Sequence, residues 1–272
     1  MLRRHAIATL LAAGASAKRM DSFFADAHGA AVLVDRNSRR LLAAHTPELA
    51  AASPAPPGST LKPLVLNALL ERGRLEPGDT FPCAGDLRLE GRSFACAHPP
   101  LPAPVNVRTA IAYSCNCYVA HFASRFASGE LAGLIGRWGL VSRTNWFGER
   151  EAPGRTWNAP PGIQSLGEDG VLVTPASLAL AYCRLISRAH PAVLAGMTGA
   201  VEFGTAQRAR VAGLNICGKT GSVRTPEGAA LAWFVGFSDT ALVTVLLQAR
   251  SGGSDAAPIG GRILEAHAKG LL

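Results

Sequence analysis

Apolar residues run in short strand-like blocks at both ends of this chain and fall into helical spacing through its middle. Residues 29–45, GAAVLVDRNSRRLLAAH, hold two apolar runs around Asp35, Arg36, Asn37 and Ser38. That reads as strand, turn, strand, because short polar side chains bond back to their own backbone in turns. LAWFVGFS (231–238) and ALVTVLLQA (241–249) repeat the pattern around Asp239 and Thr240 and predict a second hairpin.

Between the hairpins the period changes. In STLKPLVLNALLERG (59–73), Leu61, Leu64, Val65, Ala68 and Leu69 form one apolar stripe that ends at Gly73, the signature of a helix. Pro63 is tolerated because it lies near the helix start. Residues 105–128 read as a helix broken around Ser114, residues 129–140 as a shorter one, and AVEFGTAQRARV (200–211) as helix with a loop. TPASLALAYCRLIS (174–187) carries Thr174 as N-cap and Pro175 at the first helical position, a strong start signal. A last helix begins near Ile259. Residues 46–58 are Pro/Ala-rich and cannot be regular helix throughout, and Leu75 to Pro104 reads as loop around one hairpin, DLRLEGRSF, turning at Glu90-Gly91. These elements predict an α+β fold: an antiparallel sheet built from both chain ends (about 29–72 and 200–272) with a helical lobe inserted between (about 73–199). Neither an internal repeat nor a low-complexity linker splits the chain further.

Composition sharpens this picture in three places. With 272 residues, 48% apolar and 17% charged, the chain has ample material for a core, and no apolar run is long enough for a convincing membrane span. The net charge of +8 comes mostly from arginine, since the only lysines are Lys18, Lys62, Lys219 and Lys269. It suits either a solvated basic surface or attraction to an anionic one. A nucleic-acid module is not expected, because aromatics are only 6% and none interleave with a basic run. The opening MLRRHAIATLLAAGASA has Arg3 and Arg4, a short apolar stretch, and Ala15-Ser16-Ala17 as a small-x-small cleavage site. That is the layout of a secretory signal peptide over residues 1–17; an alanine-rich first helix or an uncleaved anchor are the alternatives. The expected location is the periplasm or cell envelope, with a mature start near Lys18.

Export permits disulfides. Of six cysteines, Cys83 and Cys96 flank the predicted hairpin. Either they are bridged, with a loop-closure contribution of roughly 3 kcal/mol, or they are two buried thiols. There is no C-x-x-C pair, so no metal site is expected.

The chemistry centres on GLNICGKTGS, residues 213–222. Gly213, Gly218, Lys219 and Thr220 satisfy the P-loop pattern, yet the context fails. The preceding AQRARVAG is no buried strand, and the following GSVRTPEG cannot start a helix. No nucleotide is expected. The alternative reading takes Lys219-Thr220-Gly221 as K-T-G on a short strand that carries it into a loop. Two partners lie upstream: Ser59 and Lys62 in S-x-x-K spacing, and Ser114 and Asn116 in S-x-N spacing. Each alone can be an ordinary cap or surface residue; the ordered set is specific. Lys62, one helical turn after Ser59, can act as its base when burial and a neighbouring charge from Lys219 lower its pKa. Ser114 can bridge the lysines and pass the proton on. Asn116 can orient a substrate backbone, and Gly221 can let it lie close to the strand. The N–H groups of Ser59 and Ser222 suit an oxyanion. Lys219, Thr220 and Ser222 suit a carboxylate. No cofactor is called for.

The three motifs, with the flanks PGSTLKP, FPCAGDLRLEGRSFACAHP, AIAYSCNCY, LGEDGVLVTPASLALAY and AWFVGF, resemble the transpeptidase domains of penicillin-binding proteins from about Gly29 to the C-terminus. The resemblance implies a five-stranded antiparallel sheet with helices on both faces and an all-helical lobe. It also implies acyl transfer on D-Ala-D-Ala stem peptides of peptidoglycan, covalent inhibition by β-lactams, and cell-wall synthesis partners. The chain departs from the family in Glu168, where relatives usually have glutamine, in Cys115 and Cys117 around Asn116, and in Ser222 for threonine. A serine β-lactamase is the runner-up, and a penicillin-sensing module without turnover the other alternative. No E-x-x-L-N segment is found, so no carboxylate base for deacylation is expected and a β-lactam adduct should persist.

Overall fold

The structure, a computed structural model, describes residues 19–272; the leader-like residues 1–17 lie outside the described residues. The chain opens with β1 (Gly29–Asp35) and β2 (Leu41–His45), then α1 (Pro47–Ala52), a 3₁₀ turn (Gly58–Leu61) and α2 (Lys62–Glu71). A small hairpin of β3 (Arg88–Leu89) and β4 (Arg92–Ser93) leads into α3 (Val107–Ala112), α4 (Asn116–Ala123) and α5 (Glu130–Trp138). Next come β5 (Arg155–Thr156), α6 (Pro161–Ser165), β6 (Val171–Leu172), α7 (Pro175–Ile186) and α8 (Pro191–Glu202). The chain returns through β7 (Cys217–Arg224), β8 (Ala230–Phe237) and β9 (Ala241–Leu247) to a final helix, α9 (Ala257–Ala268).

The two predicted hairpins join. β1 pairs antiparallel with β9 from Gly29 opposite Leu247 to Asp35 opposite Ala241, which completes a five-stranded sheet in the order β2-β1-β9-β8-β7. Both faces of that sheet are covered. On β1, Ala30, Val32 and Val34 point into one apolar cluster with Leu64, Leu69 and Leu178. Ala31 and Leu33 point into another with Ile263 and Leu264 of α9. Burial on both sides is why these strands read as continuous apolar runs and not as alternating ones.

Three predicted elements change on folding. α2 is buried on every side, Lys62 and Asn67 included, because it runs between the sheet and the helical lobe; the five-residue stripe was too narrow. α8 begins at Pro191, nine residues before the predicted helical stretch, capped by His190. Gly196 and Gly199 disguise it, yet a Cβ at Gly196 would stand 2.7 Å from Ile111 Cβ: these glycines allow close packing on α3. Lastly, K-T-G lies in mid-strand and not at a loop. β7 runs eight residues and pairs with β8 from Cys217 opposite Phe237 to Arg224 opposite Ala230, so the apolar register of β8 carries the strand through its glycines. Among the described residues no helix is long and apolar enough to cross a membrane.

Candidate active site

Ser59 sits in the 3₁₀ turn at the head of α2, and the turn is fastened from three directions. Gly58 N donates to Gly167 O at 3.0 Å, the buried Tyr182 hydroxyl donates to Thr60 O at 2.6 Å, and Trp233 Nε1 donates to Pro56 O at 2.8 Å. Behind the turn lies β7, and the approach is so close that a Cβ on Gly221 would stand 2.9 Å from Pro57 O. Glycine at position 221 is therefore demanded by the seat of the turn that carries Ser59.

Lys62 is fully buried. Its Nζ donates to Ser114 O at 2.7 Å, to Ser114 Oγ at 3.3 Å and to Asn116 Oδ1. Lys219, equally buried, donates to Ser114 Oγ at 2.8 Å and to Thr220 O at 2.9 Å. One hydroxyl thus lies between two ammonium groups. Ser114 occupies the break between α3 and α4 with φ +60°, a left-handed conformation that costs a side-chain-bearing residue about 1–2 kcal/mol.

Burial pulls Lys62 down from its ordinary 10.5 to about 8, opposed by the charges of Cys115, Cys96 and Glu168. Burial, with the charge of Lys62, holds Lys219 well below its ordinary value. Two desolvated lysines around one oxygen cannot both keep their protons cheaply.

The remaining predicted residues are brought to the same place but are already engaged. Asn116 Nδ2 donates to Phe94 O at 2.9 Å and Ala95 O at 3.1 Å, so contact with a substrate backbone requires exchanging these bonds. Thr220 Oγ1 donates to Thr205 Oγ1 at 2.7 Å, and Ser222 Oγ accepts from Gly252 N at 3.0 Å. A cleft of about 680 Å³ collects Ser59, Ser114, Asn116, Thr220 and Ser222, together with Glu168. No carboxylate base for deacylation was expected, and the structure places the carboxylate of Glu168 in the lining of this cleft. Glu168 is far from Ser59 in sequence, and only the contact between Gly58 and Gly167 brings them together. Burial raises its pKa, against the lowering charges of Arg92 and Lys62.

Beside Asn116 lies a group of thiols that the search for C-x-x-C missed. The predicted hairpin forms and brings Cys83 and Cys96 near each other, but their sulfurs are 3.6 Å apart and both thiols are free; a disulfide requires about 2.05 Å. The structure thus departs from the expected bridge, because Cys96 also faces Cys115 and Cys117, each at 3.8 Å. His98 Nε2 lies 3.6 Å from Cys83 Sγ. Donor atoms of Cys83, Cys96, His98 and Cys115 all fall within 4.8 Å of one another. A hydrogen bond from Cys115 in the first place, with further ones from Cys117, Asn116 N and Cys83, holds the Cys96 thiol down to about 4. Three cysteine sulfurs and an imidazole are a donor set suited to a tetrahedral, thiophilic ion such as zinc. The expectation of no metal ligands therefore does not describe the donor geometry. The signal available in the sequence was Cys-Asn-Cys at 115–117 with His98 two residues after Cys96.

A family model described as the penicillin binding protein transpeptidase domain matches residues 29–265. No curated protein sequence matches the chain. Among solved structures, Pseudomonas aeruginosa PBP2 in complex with WCK 5153 superposes with a TM-score of 0.80 at 20% identity, over 92% of this chain and 76% of that one. A Burkholderia ambifaria peptidoglycan glycosyltransferase gives 0.81 at 21% identity, over 96% and 95%. Helicobacter pylori PBP2, in its complex with MreC, gives 0.79 at 18% identity, over 94% of this chain and 63% of that one. At these identities the likeness is one of fold.

Proposed function

The chain belongs to the penicillin binding protein transpeptidase family, and from that premise we propose that it is a serine D,D-acyl-transferase acting on the D-Ala-D-Ala end of peptidoglycan stem peptides. Ser59 Oγ attacks the carbonyl between the two D-alanines, and Lys62 in its neutral form takes the serine proton. Ser114 passes a proton to the departing amine, while the N–H groups of Ser59 and Ser222 hold the oxyanion. The terminal carboxylate docks on Lys219, Thr220 and Ser222. The acyl-enzyme then passes its acyl group to an amine (transpeptidation) or to water (carboxypeptidation). A β-lactam enters by the same attack and leaves a covalent adduct. The proposal extends to an exported, envelope-located enzyme that docks on cell-wall synthesis partners.

The observation that carries this reading is Ser114 Oγ within hydrogen-bond reach of both buried lysines, at 3.3 and 2.8 Å, in the cleft that also holds Ser59. Such an arrangement can move a proton between nucleophile, base and leaving group without bulk water. The test is labelling with a fluorescent penicillin, with the adduct located by mass spectrometry of a digest. Ser59→Ala should abolish labelling, and Lys62→Ala should slow it about 10²–10⁴-fold. An adduct on another serine, or undiminished labelling of Ser59→Ala, would overturn the assignment.

A further inference from the structure

Among the described residues that line the cleft, Glu168 is the one acidic side chain, and the acylation chemistry does not use it. The loop that bears it is rigidly built. Gly167 and Gly170 adopt φ +70° and +75°, and Gln164 Nε2 bonds both Trp157 O and Gly170 O at 2.9 and 3.0 Å. Gly167 O accepts from Gly58 N at 3.0 Å, so Glu168 is attached one residue from a hydrogen bond made one residue before Ser59. Among the described residues, no ion pair or side-chain hydrogen bond occupies its carboxylate. Its nearest basic neighbour on the hairpin, Arg92, lies 3.6 Å from Asp169 instead. Lys62 Nζ bonds Ser114 and Asn116. The cleft therefore holds a second proton acceptor, distinct from the lysine pair and open to solvent water.

We propose that Glu168 is a further catalytic residue, the general base that activates water against the Ser59 acyl-enzyme and makes hydrolysis an outcome of this site. The inference rests on the acyl-enzyme reading above. The water oxygen bonds to the ester carbon as its proton passes to the Glu168 carboxylate. Collapse of the tetrahedral intermediate breaks the bond from carbon to Ser59 Oγ, and the proton returns from Glu168 to Oγ. The products are the free serine hydroxyl and a carboxylic acid, which ionises in water; no other reactant is consumed. Burial, which raises the Glu168 carboxyl above its ordinary value, makes it a stronger base than an exposed carboxylate. The substrate consequence is release of the shortened peptide as a free acid, so that D-alanine, lost at each acylation, is released over repeated turnovers without an amine acceptor. The β-lactam consequence is an adduct that decays.

The test separates the two chemical steps. The protein is labelled with a fluorescent penicillin and chased with excess unlabelled penicillin, with adduct loss followed by intact mass. D-Alanine release from an N-acylated D-Ala-D-Ala peptide is measured alongside. Glu168→Gln should slow adduct loss about 10²-fold or more while slowing labelling far less. In Glu168→Ala, added formate should restore adduct loss, which a structural role would not produce. Adduct loss at the wild-type rate in Glu168→Gln, equal slowing of both steps, or no response of Glu168→Ala to formate would each overturn the assignment. If wild-type Ser59 is not labelled at all, the acyl-enzyme reading itself fails; labelling with decay indifferent to residue 168 removes only the base.

Discussion

The contact between Gly167 and the nucleophile's turn can be tested by a single methyl group. An added Cβ at residue 167 would lie 2.2 Å from Gly58 O and 2.8 Å from Gly58 C and N. These atoms are backbone, so no side chain can swing away. Gly167 also has φ +70°, which costs alanine about 1–2 kcal/mol. Relief of the overlap means separating the two segments, which breaks the bond from Gly58 N to Gly167 O and strands a buried donor at about 1–3 kcal/mol. Gly167→Ala should therefore cost about 2–5 kcal/mol in all, with the functional part falling on Ser59 and Glu168 together. A matched control exists in the same chain. Gly73 has a similar φ of +61°, but an added Cβ there meets nothing within 4 Å. Gly73→Ala should then show only the backbone part, about 1–2 kcal/mol, and label with penicillin at the wild-type rate. Urea unfolding gives the stabilities, and the initial labelling rate gives the site. Equal stability losses in the two variants, with labelling intact in both, would refute the claim that this glycine holds the loop to the nucleophile.

Other expectations follow from the same geometry. Since burial lowers Lys62 to about 8 and only the neutral amine takes a proton, the labelling rate should rise about tenfold per pH unit below that value and flatten above it; a flat profile between about pH 6 and 10 would exclude Lys62 as base. Glu151, only 4% exposed, accepts from Thr144 Oγ1 at 2.6 Å, Asn145 N at 3.0 Å and Phe147 N at 2.9 Å, so Glu151→Ala should cost about 3 kcal/mol in urea unfolding. These bonds outweigh burial and depress its carboxyl pKa; its contribution is complete above the ordinary carboxylate value and lost as pH falls through the depressed one. Glu151→Ala should therefore flatten the acid limb of the stability profile. Reduced protein should take up one zinc ion per chain in competition with a chromophoric chelator, and Cys96→Ala should lose it, since Cys96 Sγ is the sulfur that faces Cys83 at 3.6 Å and Cys115 at 3.8 Å; uptake unchanged by that substitution would refute the ligand set.

What could be read from the residues divides by distance along the chain. Both sheet hairpins, the Thr174 cap, the break at Ser114 and the three motifs are local patterns, and each stands where its own few residues put it. The length of β7 was not readable, because Gly218 and Gly221 argue against a strand and only pairing with β8 overrides them. Glu168 stands out in the sequence only as a departure from the family, and its place in the cleft, like the thiol group, is not readable there for a related reason. Cys83, Cys96, His98 and Cys115 come from a hairpin, a loop and a helix junction, and no fixed spacing encodes their meeting.

The nonlocal contacts also change what the motif residues are for. Gly221 is required by Pro57 O, Asn116 holds Lys62 on one side and the Phe94–Ala95 backbone on the other, and Ser222 and Thr220 brace Gly252 and Thr205. Much of the three-motif signature thus builds the cleft before it meets a ligand. That division has a chemical consequence. In the proposed mechanism, the groups committed to holding Lys62 and Lys219 around Ser114 fix the acylation half of the reaction. The other half depends on what lies across the cleft, and in this chain that is an unpaired carboxylate on a loop tied to the nucleophile's own turn. An amide at position 168 would keep the loop and the cleft and remove the proton acceptor. One residue, outside all three motifs, therefore has the leverage to set whether the acyl group leaves on water or waits for an amine.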